Sequence, residues 1–163
     1  MSEINLQYEN FLNEVNPAYR EFVGQTNDFL LQNGCKIKIE IAKNGYVVSY
    51  NDTKRGKVVA NFVFRKSGLI IRIYGDHVNK YASFLETLPN GMIKAIEKAP
   101  ICKRLADSAK CNSRCQMGYI FTLNNVDYQK CRFNSFMFLL SDENNPFIKT
   151  FLENEMSLRT LAI

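Results

Sequence analysis

At 163 residues, 46% of them apolar, with twelve Phe and eight Tyr, the chain has the length and composition of one globular domain able to bury a core without staples, which excludes an intrinsically disordered segment. Its net charge of +5 is unevenly placed: residues 94–132 carry eight Lys and Arg against Glu97, Asp107 and Asp127, and the remainder carries thirteen of each sign. The opening MSEINLQYEN is polar and acidic, unlike a signal peptide, and the longest apolar run, Phe136 to Leu140, is far short of a membrane span. A cytoplasmic location is expected, with the five cysteines reduced rather than paired.

Tyr8, Phe11, Leu12 and Val15 recur at helical spacing. Asn16-Pro17 predicts a stop and a restart, since Asn caps and Pro suits the first helical position. Tyr19, Phe22, Val23, Thr26, Phe29 and Leu30 continue the stripe to a glycine cap at Asn33-Gly34.

From Cys35 to Tyr74 the period becomes two. Ile37, Ile39 and Ile41 alternate with Lys36, Lys38 and Glu40, and Asn44-Gly45 is a hairpin signal. A turn on those two residues sets Ile41 opposite Val48 and Ile39 opposite Tyr50. A turn on Ser67-Gly68 likewise sets Phe64 opposite Ile71 and Phe62 opposite Ile73. Four antiparallel strands share one apolar face. The other face, with Val47, Val59, Val63 and Ile70 among Asn61, Arg65 and Arg72, is only half polar and calls for partial cover.

Asp76 is placed to cap a helix whose buried stripe is Val78, Tyr81, Ala82, Leu85 and Leu88, ended by Pro89. Met92, Ile93 and Ile96 mark a short helix before Pro100. Tyr119–Leu123 and Val126–Lys130 flank Asn124-Asn125 as a hairpin, Cys131 to Leu140 reads as a strand, and Asn145-Pro146 opens a terminal helix with Phe147, Ile148, Phe151 and Leu152 inward. The fold class expected is α+β, one domain over 1–163: N-terminal helices, a four-stranded antiparallel meander, helices, a cysteine-bearing β-hairpin and a C-terminal helix.

The chemistry concentrates in a subregion at 100–133, which holds four of the five cysteines: Cys102, Cys111, Cys115 and Cys131. Pairing Leu123 with Val126 carries the register on to Gly118 opposite Cys131, so Cys115 and Cys131 arrive at the open end of the hairpin. Cys111 joins them if the NSR loop is tight. Ribbon-type zinc sites gather ligands this way, and a structural zinc bound by Cys102, Cys111, Cys115 and Cys131 is the leading expectation, with an iron–sulfur cluster behind it. Lys103, Arg104, Lys110, Arg114, Lys130 and Arg132 lie within two residues of a cysteine, and cations favour thiolate over thiol. Cys102 poses a geometric problem. A continuous helix over 102–110 would hold it about 13 Å from Cys111, whereas sulfurs on one zinc lie within roughly 4 Å of each other. Either KRLADSAK turns back at Asp107-Ser108, or Cys35 or a solvent molecule completes the site.

Four other readings compete. Free cysteines are most often small buried hydrophobes, which suits Cys35 and Cys102 better than CNSRC. One cysteine could be a redox or nucleophilic thiol, with His77, the only histidine, as the available base. Basic residues interleaved with Tyr119, Phe121, Tyr128 and Phe133 could engage nucleic acid. Tyr46, Tyr50, Phe62 and Tyr81 are candidates to line an apolar pocket for a small molecule. A binding or regulatory protein, its partner a small molecule or a protein, is favoured over an enzyme, since no phosphate loop, G-x-S-x-G or HExxH is present.

Overall fold

The computed structural model describes residues 2–161 and is α+β: a five-stranded sheet, a two-stranded ribbon and helices. The chain divides into two compact units, residues 1–73 with 139–145, and residues 74–138 with 146–163.

In the first unit, α1 (Glu3–Glu14) begins at Ser2, whose hydroxyl accepts from the Asn5 N–H. Asn16 caps a 3-10 turn (Pro17–Tyr19) that runs into α2 (Arg20–Gln32), and Gly34 at φ 88° ends it. Four strands follow: β1 (Cys35–Ala42), β2 (Gly45–Asp52), β3 (Lys57–Arg65) and β4 (Gly68–Ile73). A fifth, β7 (Met137–Leu139), lies beside β4, giving the order β1-β2-β3-β4-β7. The core forms where helix residues meet the apolar sheet face. Phe11 stacks within 5.9 Å of Phe62 and 5.8 Å of Phe64, and the Tyr50 hydroxyl donates to Asn27 at 2.7 Å. On the opposite face Val59, Asn61 and Val63 are buried too, as its apolar content required.

Two hairpin registers differ from expectation in the same way. Ile39 faces Val48 and Ile37 faces Tyr50; Phe62 faces Ile71 and Ala60 faces Ile73. The turns fall on Lys43-Asn44 and Lys66-Ser67, and each glycine is instead the first residue of the next strand, at φ 123° and 131°. Each partner shifts by two, so the same faces stay inward. Gly45 has a further reason to lack a side chain, since a Cβ there would lie 3.1 Å from the Phe64 ring.

In the second unit the helix expected at Asp76 is broken into a 3-10 turn (Val78–Lys80) and one turn of helix, α3 (Ala82–Leu85). Asp76 does not cap it, because its carboxylate is taken by arginines. Next come α4 (Asn90–Lys98), α5 (Lys103–Ala106) and the ribbon of β5 (Tyr119–Leu123) and β6 (Val126–Lys130). The strand expected from Cys131 shrinks to β7, since the Cys131 carbonyl accepts from the Asn134 and Ser135 N–H groups in a turn. Phe136 and Phe151, from α6 (Asn145–Leu161), centre an aromatic core 5.1 Å apart, joined by Tyr119, Phe121, Tyr81 and Phe84. No helix among the described residues is long and apolar enough to cross a membrane.

Tyr50 and Phe62 are core residues with no exposed surface, and Tyr81 packs on Phe151 in the second unit. Tyr46 lines a shallow groove with residues 42–47 and 63–65.

Candidate functional site

The ribbon pairs as its sequence implies. Leu123 faces Val126 across Asn124-Asn125, both residues at positive φ, and Tyr119 faces Lys130. What the sequence did not reveal is that β6 is bordered on its other side by residues 100–102. The Cys102 N–H donates to Gln129 at 2.9 Å, and the Cys131 N–H donates to Pro100 at 2.8 Å. Ile101 bridges Lys130, so alternation puts Cys102 and Cys131 on one face as diagonal neighbours, a relation of about 7–8 Å between Cα atoms in regular pairing.

KRLADSAK is not one continuous helix. α5 is a single turn, and Asp107 closes the next one: the Lys110 N–H donates to its carbonyl and the Ala109 N–H to its side chain. The long separation of Cys102 from Cys111 along a helix axis therefore does not arise. Arg104, on α5, donates through Nη1 to the Cys115 carbonyl, which ties the NSR loop to the start of α5.

Two of the sulfurs already receive N–H groups. The Gly118 amide donates to Cys102 Sγ at 3.2 Å, and the Asn134 side chain to Cys131 Sγ at 3.5 Å. Cys102 is buried, Cys115 and Cys131 are half-buried, and Cys111 is exposed at φ 62°. The structure thus brings the backbones of Cys102 and Cys131 together and tethers that of Cys115 nearby. It does not draw the four expected ligands into one donor set: among the described residues no three His, Cys, Asp or Glu side chains are grouped so as to hold a metal ion. Cys35 is buried in β1 of the first unit.

The cations around the cysteines are largely engaged. Lys130, 6% exposed, donates to the carbonyls of Glu97 and Ala99 at 2.7 Å each and closes the C-terminal end of α4. Arg132 bonds Asp76 at 2.5 Å and lies over the Tyr74 and Tyr119 rings. Tyr119 and Phe121 are buried in the aromatic core rather than displayed beside a basic surface.

A second constellation was invisible to periodicity. Glu155 of α6 has no exposed surface, and its carboxylate accepts four hydrogen bonds. Oε1 takes the His77 N–H at 3.0 Å and the Tyr81 hydroxyl at 2.5 Å; Oε2 takes His77 Nδ1 at 2.8 Å and Arg159 Nε at 2.8 Å. Arg159 also reaches the Tyr74 carbonyl and Asp76, and Asp76 is shared with Arg132. With Nδ1–H directed at the carboxylate, His77 Nε2 carries no protein partner among the described residues. The only early signal was polar residues at 155 and 159, one helical turn apart, on the face that also carries Ile148, Phe151 and Leu152.

No protein family, curated protein or solved structure matches the chain.

Burial raises the tyrosine pKa values. Tyr50, Tyr81 and Tyr119 are pushed well above the ordinary phenol range by desolvation, Tyr81 further by the Glu155 charge and Tyr119 by Asp76 against the opposing pull of Arg132. Tyr8 is pushed up to about 12 by burial and Asp28. In each case the folded pKa exceeds the unfolded one, near 10, so the contribution is complete below about pH 10 and is lost as the pH rises beyond it. Alkaline titration followed by absorbance and ellipticity together checks this for Tyr50, Tyr81 and Tyr119. The buried set should produce tyrosinate absorbance only together with loss of ellipticity. Gradual ionisation of that set with helicity intact would contradict this.

Proposed function

We propose that the chain is a zinc-holding binding or regulatory protein, the metal being structural and its ligands the thiolates of Cys102, Cys111, Cys115 and Cys131. The observation that carries the reading is the pair of N–H groups directed at sulfur, from Gly118 to Cys102 and from Asn134 to Cys131. Donors to sulfur stabilise the thiolate form and are the usual outer partners of metal-bound cysteine. Backbone pairing of 100–102 with β6, and the Arg104 tether to Cys115, bring three of the four ligand-bearing segments to one end of the ribbon. Cys115 and Cys131 are half-buried and Cys111 is exposed, so these side chains would have to rotate and the 107–117 loop close for them to join Cys102 at one ion. Four thiols binding one Zn²⁺ would release four protons and leave a formal charge of −2, which Lys103, Arg104, Lys110 and Arg114 are near enough in sequence to offset.

Native mass spectrometry with elemental analysis is the test. One zinc per chain is expected, retained by Cys35→Ala and lost or strongly weakened by serine at 102, 111, 115 or 131. A second reading, a thiol-dependent enzyme or redox sensor, is favoured by one observation: Cys131 and His77 adjoin the two ends of the Arg132–Asp76 ion pair, and His77 is oriented by Glu155. A chain without zinc, in which one cysteine is alkylated far faster than the rest and His77→Ala slows it, would replace the zinc reading with this one.

A further inference from the structure

We propose that the outer edge of β1 is a self-complementary interface, through which two copies of this chain join into one continuous antiparallel sheet. β1 stands at the end of the strand order, with β2 on one side only. Among the described residues, no backbone hydrogen bond outside that pairing reaches residues 36–42. An edge is commonly blunted by shortness, a proline, a bulge or a charge turned to the core side. β1 has none of these. Its eight residues pair with β2 without a register shift, and Ile37, Ile39 and Ile41 share the core side. Ile41 on that side is 77% exposed and Ile37 is half-buried, so apolar surface continues to the open edge. Lys36, Lys38 and Glu40 occupy the other side, where their mixed signs select a register rather than forbid pairing.

Directly opposite residues in an antiparallel pair share a face, so isoleucines meet isoleucines only when the two-fold axis is centred on a residue. Centred on Lys38 or on Glu40, the axis opposes that charge to its own copy. Centred on Ile37, it opposes Lys36 to Lys38, and centred on Ile41 it runs off the end of the strand. Centred on Ile39, it sets Lys38 opposite Glu40 of the second copy, Glu40 opposite Lys38, and Ile37 opposite Ile41. That register pairs residues 36–42 with both charge pairs favourable and covers the exposed isoleucine. Within one chain Lys38 and Glu40 lie 3.0 Å apart with side chains 65% and 55% exposed, so each is free to turn to the second copy. The assembly closes as a dimer. The two-fold consumes β1 of both copies, and each outer end of the joined sheet is then β7, three residues long.

Sedimentation equilibrium from low micromolar to near-millimolar protein is the test, on wild type, Lys38→Glu, Glu40→Lys, the double variant and Ile41→Lys. Wild type is expected to dimerise as concentration rises. Lys38→Glu or Glu40→Lys alone turns both charge pairs into like-charge pairs and should weaken the dimer about tenfold or more. Circular dichroism should be unchanged, since both side chains are largely in solvent. Mixed in equal amounts, the two single variants bring opposite charges together again and should form a mixed dimer. The double variant should dimerise as wild type does. Ile41→Lys places a charge on the apolar side of the edge and should leave a folded monomer. A wild type that stays monomeric throughout overturns the proposal. So does a dimer that Ile41→Lys and the single charge variants leave intact, or one that the single variants weaken and neither mixing nor the double variant restores.

Discussion

Replacing Glu155 with Ala or Met is expected to destabilise the chain by about 3–5 kcal/mol, the range seen when one member of a buried ion pair is removed. The reason is the number of groups that one carboxylate satisfies. Its loss takes away the acceptor of the Arg159 Nε–H, on a guanidinium 2% exposed, and the acceptor of the Tyr81 hydroxyl and of both His77 donors. Domains of this size are held by roughly 5–15 kcal/mol in total, so urea denaturation should move its midpoint far to the left, and partial unfolding at 37 °C is expected. Glu155→Gln keeps one acceptor but turns an amide donor towards other donors, and should cost less than Ala without being neutral. The double variant Glu155→Met with Arg159→Met removes both charges and should recover part of the loss, which a double-mutant cycle reads as coupling. A cost below about 1 kcal/mol for Glu155→Met would show that the four hydrogen bonds do not hold this unit together.

Why could the sequence not announce this network? Periodicity reports where apolar surface goes, and the 145–161 stripe is read correctly from Ile148, Phe151 and Leu152. Glu155 and Arg159 continue the same face as buried charges, and a one-dimensional pattern assigns charged residues to solvent by default. Asp76 illustrates the converse error. Beside a glycine and before an apolar stripe it has the form of a helix cap, yet two arginines from elements more than fifty residues away claim its carboxylate. Long-range pairing overrides a local preference worth about 1 kcal/mol.

The sheet was legible because its hydrophobic alternation is nearly strict, and its registers were misread for a definable reason. A two-residue turn of type I′ needs positive φ at both central positions. Asn124-Asn125 meets that need, at φ 51° and 64°, and its pairing follows as expected. Asn44-Gly45 and Ser67-Gly68 carry similar composition, but there only the glycine takes positive φ and the turn moves one residue earlier. Apolar faces survive such a shift because it preserves parity. For the cysteines, the ribbon carrying Cys131 could be derived from its turn, while the docking of Pro100–Cys102 against β6 could not, since a single bridge leaves no alternating pattern. That bridge sets Cys102 beside Cys131 and does not bear on its spacing from Cys111.

The second large effect is expected at Gly118, through space rather than backbone strain, because its φ lies outside the left-handed region. A Cβ there would fall 2.0 Å from the Lys130 carbonyl oxygen and 2.8 Å from Cys102 Cβ. No rotamer relieves that overlap, since the main obstacle is the backbone of β6. Gly118→Ala must push the residue before β5 away from β6, and with it the N–H that now reaches Cys102 Sγ. Overpacking typically costs about 1–3 kcal/mol, and the upper end is expected where a main chain has to move. The damage should be local: hydrogen exchange accelerates over 100–102 and 118–131 while α1, α2 and β1–β4 keep their protection. If zinc is bound as proposed, its affinity falls in the same variant, because both the ligand segment and the donor to Cys102 are displaced. Gly91→Ala provides the control. That glycine lies in α4 with nothing within 4 Å of the added methyl, so alanine should stabilise by up to about 1 kcal/mol through helix propensity. Equal stability, exchange and zinc affinity in Gly118→Ala and wild type would mean that the close approach of Gly118 to β6 and Cys102 is not a feature of the folded chain.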